Sequence, residues 1–112
     1  MMEKQIAFSS KIDIQEYHYF SFIMAAINRQ NYDIEISVNY GLSHDEPNTI
    51  IADVWAGIAD DMFRRYLYTA HIPQTEQTLD DYAGIATKIH NSHTFRKELK
   101  TFLEWAYKKQ RQ

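Results

Sequence analysis

The 112 residues of this chain include no cysteine, which excludes disulfide bonds, thiolate metal ligands and a cysteine nucleophile. A hydrophobic fraction of 45% and a charged fraction of 24% are typical of a folded domain and exclude a disordered chain. The net charge of −3 argues against a protein that binds nucleic acid over its whole surface. We expect a single compact domain over residues 1–112, with residues 109–112 frayed.

The amino-terminal part of the sequence shows no targeting or membrane segment. Residues 1–8 contain Glu3 and Lys4 and lack the apolar run of a secretion signal. The longest uncharged apolar stretch, residues 17–28, is shorter than the ~20 residues that cross a bilayer. We therefore expect a soluble, cytoplasmic protein that does not enter a membrane.

A first helix is predicted over about residues 13–28. Apolar side chains recur there at intervals of three and four, the period that lines one face of a helix. They are Tyr17, Phe20, Ile23, Met24 and Ile27. The preceding residues 6–14 alternate weakly, which indicates a short extended segment.

Residues 32–40 alternate strictly between apolar and polar side chains, which predicts a strand with one apolar face. A lone strand is unstable, so this one needs a partner, either the amino-terminal segment or a second copy of the chain. We interpret its apolar residues as a candidate interface between two copies: Tyr32, Ile34, Ile36, Val38 and Tyr40.

A long second helix is predicted over residues 47–70. Pro47 suits the first helical position, where its missing N–H costs nothing, and Pro73 prevents the helix from continuing. The apolar stripe of this helix consists of Ile51, Val54, Trp55, Ile58, Met62 and Tyr66.

Charged pairs four residues apart support the same helix, because side chains at this spacing are neighbours on its surface. The pairs are Asp60 with Arg64 and Asp61 with Arg65. Gly57 interrupts the helix at a cost of about 1 kcal/mol relative to alanine. We interpret it as a point where another helix crosses closely; the alternative is a position that must be pliable for function.

Two more helices are predicted, over residues 78–90 and 94–109, with polar residues breaking them at 91–92. Thr78 and Asp81 resemble a capping box at the start of the first. The apolar faces carry Leu79, Tyr82, Ile85, Ala86, Ile89, Phe95, Leu99, Phe102, Leu103 and Ala106.

The predicted fold class is therefore mainly α (α+β). About four helices pack as a small bundle, accompanied by a short two-stranded or intermolecular β element near Tyr32 and Tyr40.

Charge is distributed unevenly along the chain. Residues 88–112 carry seven basic and two acidic side chains, whereas residues 1–87 carry five basic and thirteen acidic ones. The last two predicted helices have the spacing of a helix-turn-helix, and the second is basic. Its candidate phosphate contacts are Arg96, Lys97, Lys100 and Lys108.

Neither a catalytic nor a metal-binding motif is complete. His90 and His93 have a ligand-like spacing, but zinc needs three or four protein ligands and no others follow in a recognisable pattern. The adjacent pairs Asp60–Asp61 and Asp80–Asp81 would diverge by about 100° on a helix instead of converging. We therefore predict no metal and no cofactor.

Three functional hypotheses remain. The first is a small non-enzymatic binding or regulatory protein that docks onto an unidentified protein partner and self-associates as a dimer; its eight tyrosines suit such an interface. The second is a DNA-associated regulator that uses the basic last helix. The third, ranked lowest, is an enzyme whose histidines and carboxylates come together from distant positions.

Overall fold

Four strands and two helices make up the computed structural model, which describes residues 18–24, 33–58 and 62–110. The strands pair antiparallel in chain order, so each lies beside its sequence neighbour. The elements are β1 (His18–Met24), β2 (Ile34–Leu42), β3 (Thr49–Ile58), β4 (Arg65–Pro73), α1 (Tyr82–His90) and α2 (His93–Gln110).

The predicted mainly helical bundle is wrong, because the described structure is an antiparallel sheet followed by two helices. The helix predicted over residues 47–70 is replaced by β3 and β4. Every residue from 50 to 57 is buried, and apolar residues lie on both faces of the strand, so its sequence contains three-and-four spacings as well as two-residue ones. Asp60 and Asp61, the predicted partners of Arg64 and Arg65, lie outside the described residues.

A turn occupies the position where the helix over residues 47–70 was predicted to begin. Asn48 has a φ of 57°, a left-handed conformation that asparagine tolerates better than most residues. Its carbonyl accepts a hydrogen bond from the Gln74 backbone N–H at 2.8 Å, and the Ser43 N–H donates to the Thr49 carbonyl at 3.0 Å. Pro47 therefore belongs to the connection between β2 and β3.

The first predicted helix is also wrong where the structure describes it, since β1 occupies residues 18–24. Phe20, Phe22 and Met24 pack against the core, while Tyr19 and Ile23 point to the other face and are exposed. Apolar residues on both faces of the strand conceal the two-residue period and imitate a helical one.

The strand predicted near residues 32–40 is confirmed as β2, but it belongs to a four-stranded sheet instead of the short two-stranded or intermolecular element that was predicted. The extended segment predicted over residues 6–14, one of its two expected partners, lies outside the described residues. Residues of β2 pair with β1 on one side and with β3 on the other. It is therefore an inner strand of a four-stranded sheet, with no edge left for the intermolecular element that the sequence predicted.

The two carboxy-terminal helices are confirmed, with shifted starts. Asp81 caps α1, and its carboxylate accepts the Gly84 N–H at 2.9 Å, so the helix begins later than the predicted Thr78. Ser92 accepts the Phe95 N–H at 3.2 Å at the start of α2.

Both helices contribute their apolar faces to one core against the sheet, since their buried side chains cluster with those of the strands. The sheet supplies Ile34, Ile36, Val38, Tyr40, Ile50, Val54 and Ile72, and the helices supply Ile85, Ile89, Phe95, Leu99, Phe102 and Ala106.

Candidate docking edge and the polar row of the sheet

Strand β1 forms one edge of the described sheet. Its sequence, HYFSFIM, contains no acidic residue, lysine, arginine or proline. Within residues 18–24, 33–58 and 62–110, β2 is the only strand that pairs with it. Among the described residues, the side of β1 away from β2 therefore presents backbone N–H and C=O groups in the arrangement that another strand can pair with.

Aromatic contacts hold β1 against the rest of the domain. The Phe20 ring lies 5.6 Å from Tyr40 and 5.7 Å from Tyr82 of α1, between ring centroids. Phe22 lies 5.1 Å from the ring of His90. Because these contacts use only the core-facing residues, the opposite face of β1 is left for other contacts.

That opposite face of β1 is apolar and open to solvent. Tyr19 and Ile23 are each 55% exposed, and Ser21 between them is exposed as well. Large apolar side chains on an uncharged sheet edge are the features that natural sheets usually avoid unless the edge has a partner.

The other edge, β4, shows the protective features that β1 lacks. It begins at Arg65 and ends at Pro73, a residue that cannot donate a ladder hydrogen bond. The Arg65 guanidinium carbon lies 5.8 Å from the centroid of the Trp105 ring on α2. A bulge between Val54 and Trp55 further interrupts the regular pairing of this edge with β3.

A polar row crosses the sheet on the face opposite the core. Cross-strand pairing places Asn39, Asp53 and Thr69 side by side. Asp53 is fully buried and accepts a hydrogen bond from the Thr69 hydroxyl at 2.6 Å. The Tyr66 hydroxyl in turn contacts the Thr69 hydroxyl. The hydrogen bond from Thr69 gives this buried carboxylate a partner, as a buried polar group requires.

The bulge makes this row possible. Residues three apart in a regular strand point to opposite faces, yet Tyr66 and Thr69 contact each other. The extra residue brings Leu67 and Tyr68 both to the core side, opposite Val54, and returns Tyr66 to the polar side. There its ring packs on Trp55 at 5.5 Å between centroids.

One buried donor beside the row lacks a hydrogen-bond partner. The Trp55 side chain is 8% exposed and its Nε1–H donates to no acceptor in the described structure. Such a group costs about 1–3 kcal/mol of folding free energy.

The enzyme hypothesis would be supported by a histidine in a cleft against a carboxylate; His71 does contact a carboxylate, but the pair lies at the exposed surface. The His71 Nδ1 lies 2.8 Å from a carboxylate oxygen of Glu46. Both side chains are exposed, and no serine or threonine hydroxyl in the described chain is hydrogen-bonded to the ring. The pair connects β4 to the turn before β3, a role that needs no catalysis.

His90 and His93 do not come together with further ligands. The His90 ring packs between Phe22 at 5.1 Å and Phe95 at 5.8 Å, whereas His93 is exposed at the start of α2. Within the described ranges no three histidine, aspartate or glutamate side chains are grouped as a metal ion would require. The geometry of His90 is that of an aromatic side chain at the border of the core.

The candidate phosphate contacts all lie on α2, and Arg96, Lys97, Lys100 and Lys108 are all exposed. The apolar face of the helix is buried, which turns these basic side chains outward. Arg96 also donates from Nε to the His90 carbonyl at 3.0 Å, so it caps the end of α1.

The candidate interface residues of β2 lie in the core of the chain's own fold, apart from Tyr32, which is outside the described residues. Ile34, Ile36, Val38 and Tyr40 are buried between the sheet and the helices. The Tyr40 hydroxyl donates to the Leu79 carbonyl at 2.8 Å. Burial is the main cause that raises the pKa of Tyr40, and the nearby Tyr82 hydroxyl adds to it.

Sequence reasoning missed Tyr19 and Ile23, because both were assigned to a helix. The signal that could have found them is the absence of charge from residue 17 to 28, a run that was too short for a membrane span and was assigned to a helix. A run of this kind beside an alternating strand also fits the edge of a sheet.

Comparison of the chain with protein families, with curated proteins and with solved structures gave no match. No helix in the described part of the chain is long and apolar enough to cross a membrane.

Proposed function

We propose that the protein is a non-enzymatic binding or regulatory protein that docks onto another polypeptide by strand addition at β1. The observation that carries this proposal is the uncharged edge of β1 with Tyr19 and Ile23 exposed upon it. In strand addition the backbone ladder supplies affinity and the alternate side chains supply selectivity.

The chemistry of β1 defines the kind of partner. An incoming strand meets Tyr19 and Ile23 on one face and the edges of Phe20 and Phe22 on the other. Because β1 carries no acid or base apart from His18, selectivity comes from apolar and aromatic cross-strand pairs. The expected partner segment is extended and apolar at alternate positions.

Photo-crosslinking in the cells that express the protein tests this proposal. A photoreactive phenylalanine derivative replaces Tyr19, and in a matched control it replaces Tyr66, an exposed tyrosine of the opposite edge strand. We expect a specific protein adduct from position 19 and none from position 66. Equal adducts from both positions, or none from position 19, would contradict docking at β1.

An adduct becomes evidence once its partner is identified and the complex is rebuilt from purified components. Ile23→Lys should then weaken binding at least tenfold, since it places a charge on the pairing edge. Tyr66→Lys should leave the affinity within twofold of the wild type. Insensitivity to Ile23→Lys would overturn the proposal.

A DNA-associated regulator is the second candidate, favoured by the outward exposure of Arg96, Lys97, Lys100 and Lys108 on α2. If each neutralised one phosphate, the logarithm of the binding constant would fall with the logarithm of salt concentration at a slope of roughly −3.6. Retention of the protein on random duplex DNA measures this slope. No retention at ~50 mM salt would reject DNA binding.

A further inference from the structure

We propose that the strand added at β1 is the β1 of a second copy, joined antiparallel about a two-fold axis through Ser21. This inference rests on the proposed function, because it names the partner of the same edge. The result would be a continuous sheet that joins the four described strands of each copy across the two-fold axis.

The sequence of β1 is complementary to itself in this register. With Ser21 opposite Ser21, Tyr19 of one copy lies opposite Ile23 of the second copy, and the reciprocal pair forms at the other end. Aromatic and β-branched side chains directly opposite each other are among the favourable cross-strand pairs. The two exposed apolar residues of each copy would therefore cover those of the other.

The core-facing residues also match in this register. Phe20 lies opposite Phe22 of the second copy, and both are already partly buried against their own helices. No acidic or basic residue meets a like charge, because β1 contains no lysine, arginine, aspartate or glutamate. A two-fold axis perpendicular to the sheet keeps the helices of both copies on the same side.

The register is restricted because core-facing side chains must lie opposite core-facing ones. In an antiparallel pair of identical strands this happens only when the numbers of two facing residues add up to an even number. A centre at Ser21 is the one that places the two exposed apolar residues, Tyr19 and Ile23, opposite each other. The opposite edge cannot offer the same self-pairing, since Pro73 and the bulge next to Trp55 interrupt its ladder.

Sedimentation equilibrium of the full chain at micromolar concentration is the first test. We expect a dimer for the wild type and a monomer for Tyr19→Glu and for Ile23→Lys, each of which places one charge on the pairing edge. Tyr66→Lys, on the other edge strand, is the matched control and should remain dimeric. Both replaced β1 residues are more than half exposed, so the variants should keep the wild-type circular dichroism spectrum.

Mixing the two charged variants tests the register itself. In a mixed pair Glu at position 19 faces Lys at position 23 of the other copy, and the remaining Tyr19 faces the remaining Ile23. We therefore expect the mixture to form a heterodimer although each variant alone is monomeric. Failure of the mixture to associate would overturn the two-fold register.

The absence of cysteine elsewhere permits a clean crosslinking test. A Ser21→Cys chain treated with a short bis-maleimide should give a crosslinked dimer in high yield, while Thr101→Cys, exposed on α2, should stay monomeric under the same conditions. A wild-type monomer at every concentration would refute self-pairing. If position 19 nevertheless crosslinked to a different protein, the proposed docking at β1 would be retained and only self-pairing would be rejected.

Discussion

Arg64, immediately before β4, forms an ion pair with Glu35 on β2. To reach Glu35 the Arg64 side chain crosses Gly57 on β3, the strand between them. A β-carbon at Gly57 would collide with the Arg64 guanidinium and lie 2.7 Å from both the Arg64 Cδ and the Phe63 carbonyl oxygen. Gly57 thus marks a close approach, as the sequence indicated, but an arginine side chain crosses there instead of a helix. The first prediction follows from this contact.

Gly57→Ala should destabilise the fold by about 1–3 kcal/mol, as overpacking does in a filled site. At an unconstrained position the same replacement usually stabilises a protein by reducing the freedom of the unfolded chain. Urea unfolding measures the free energy of unfolding of each variant. In an Arg64→Ala background the loss should shrink without vanishing, because the Phe63 carbonyl oxygen remains close. An equal loss in both backgrounds would contradict the crossing.

The core contacts of α2 should outweigh its charges. Leu99→Ala is expected to cost about 2–5 kcal/mol and Phe102→Ala about 3–5 kcal/mol, since both side chains are buried in the core cluster. Lys97 is exposed, so Lys97→Ala should change the stability by less than about 0.5 kcal/mol. Thermal melts rank the three variants. Similar losses for Lys97 and Leu99 would be inconsistent with this arrangement.

Alkaline pH should weaken the fold through its buried tyrosines. Burial raises the pKa of Tyr40 above its ordinary value of 10.0 and raises that of Tyr68 as well. Above pH 10 the unfolded chain therefore loses protons that the folded chain retains. Fewer protons bound to the unfolded state means that the free energy of unfolding falls as the pH rises.

Urea unfolding between pH 8 and pH 11 checks this sign. Tyr40→Phe should flatten the decline, because the replaced side chain no longer titrates in the unfolded chain. It should also lower the stability at pH 8, since the Leu79 carbonyl loses the hydroxyl that donates to it. An unchanged slope in Tyr40→Phe would mean that Tyr40 does not control the alkaline transition.

The cap of α1 gives a prediction that separates the observed helix start from the predicted one. Asp81→Ala should cost about 1 kcal/mol, because the Gly84 N–H loses its acceptor. Thr78→Ala should cost less, since Thr78 lies before the cap and its side chain is exposed. Asp81→Asn should restore most of the loss. A larger effect at Thr78 in chemical unfolding would favour a helix that starts earlier.

The parts of the fold that sequence reasoning predicted correctly are those whose apolar side chains lie on one face. The alternation of β2 and the apolar stripe of α2 each indicated the right element, because an element with one apolar and one polar face records its period in its sequence. The strands β1 and β3 carry apolar residues on both faces, and their period was misread as helical. The sequence shows that residues 18–24 lack charged side chains, but it does not show that they form an edge strand.

The sequence by itself determined that the carboxy-terminal part is helical and that the last helix has a basic outer face. Only the tertiary structure decided which strands lie inside the sheet and which lie at its edge. The physical reason is that neighbours across a sheet are set by long-range pairing and not by the residues next in the chain. The same pairing buried Val38 and left Ile23 exposed, although both are β-branched residues of adjacent strands.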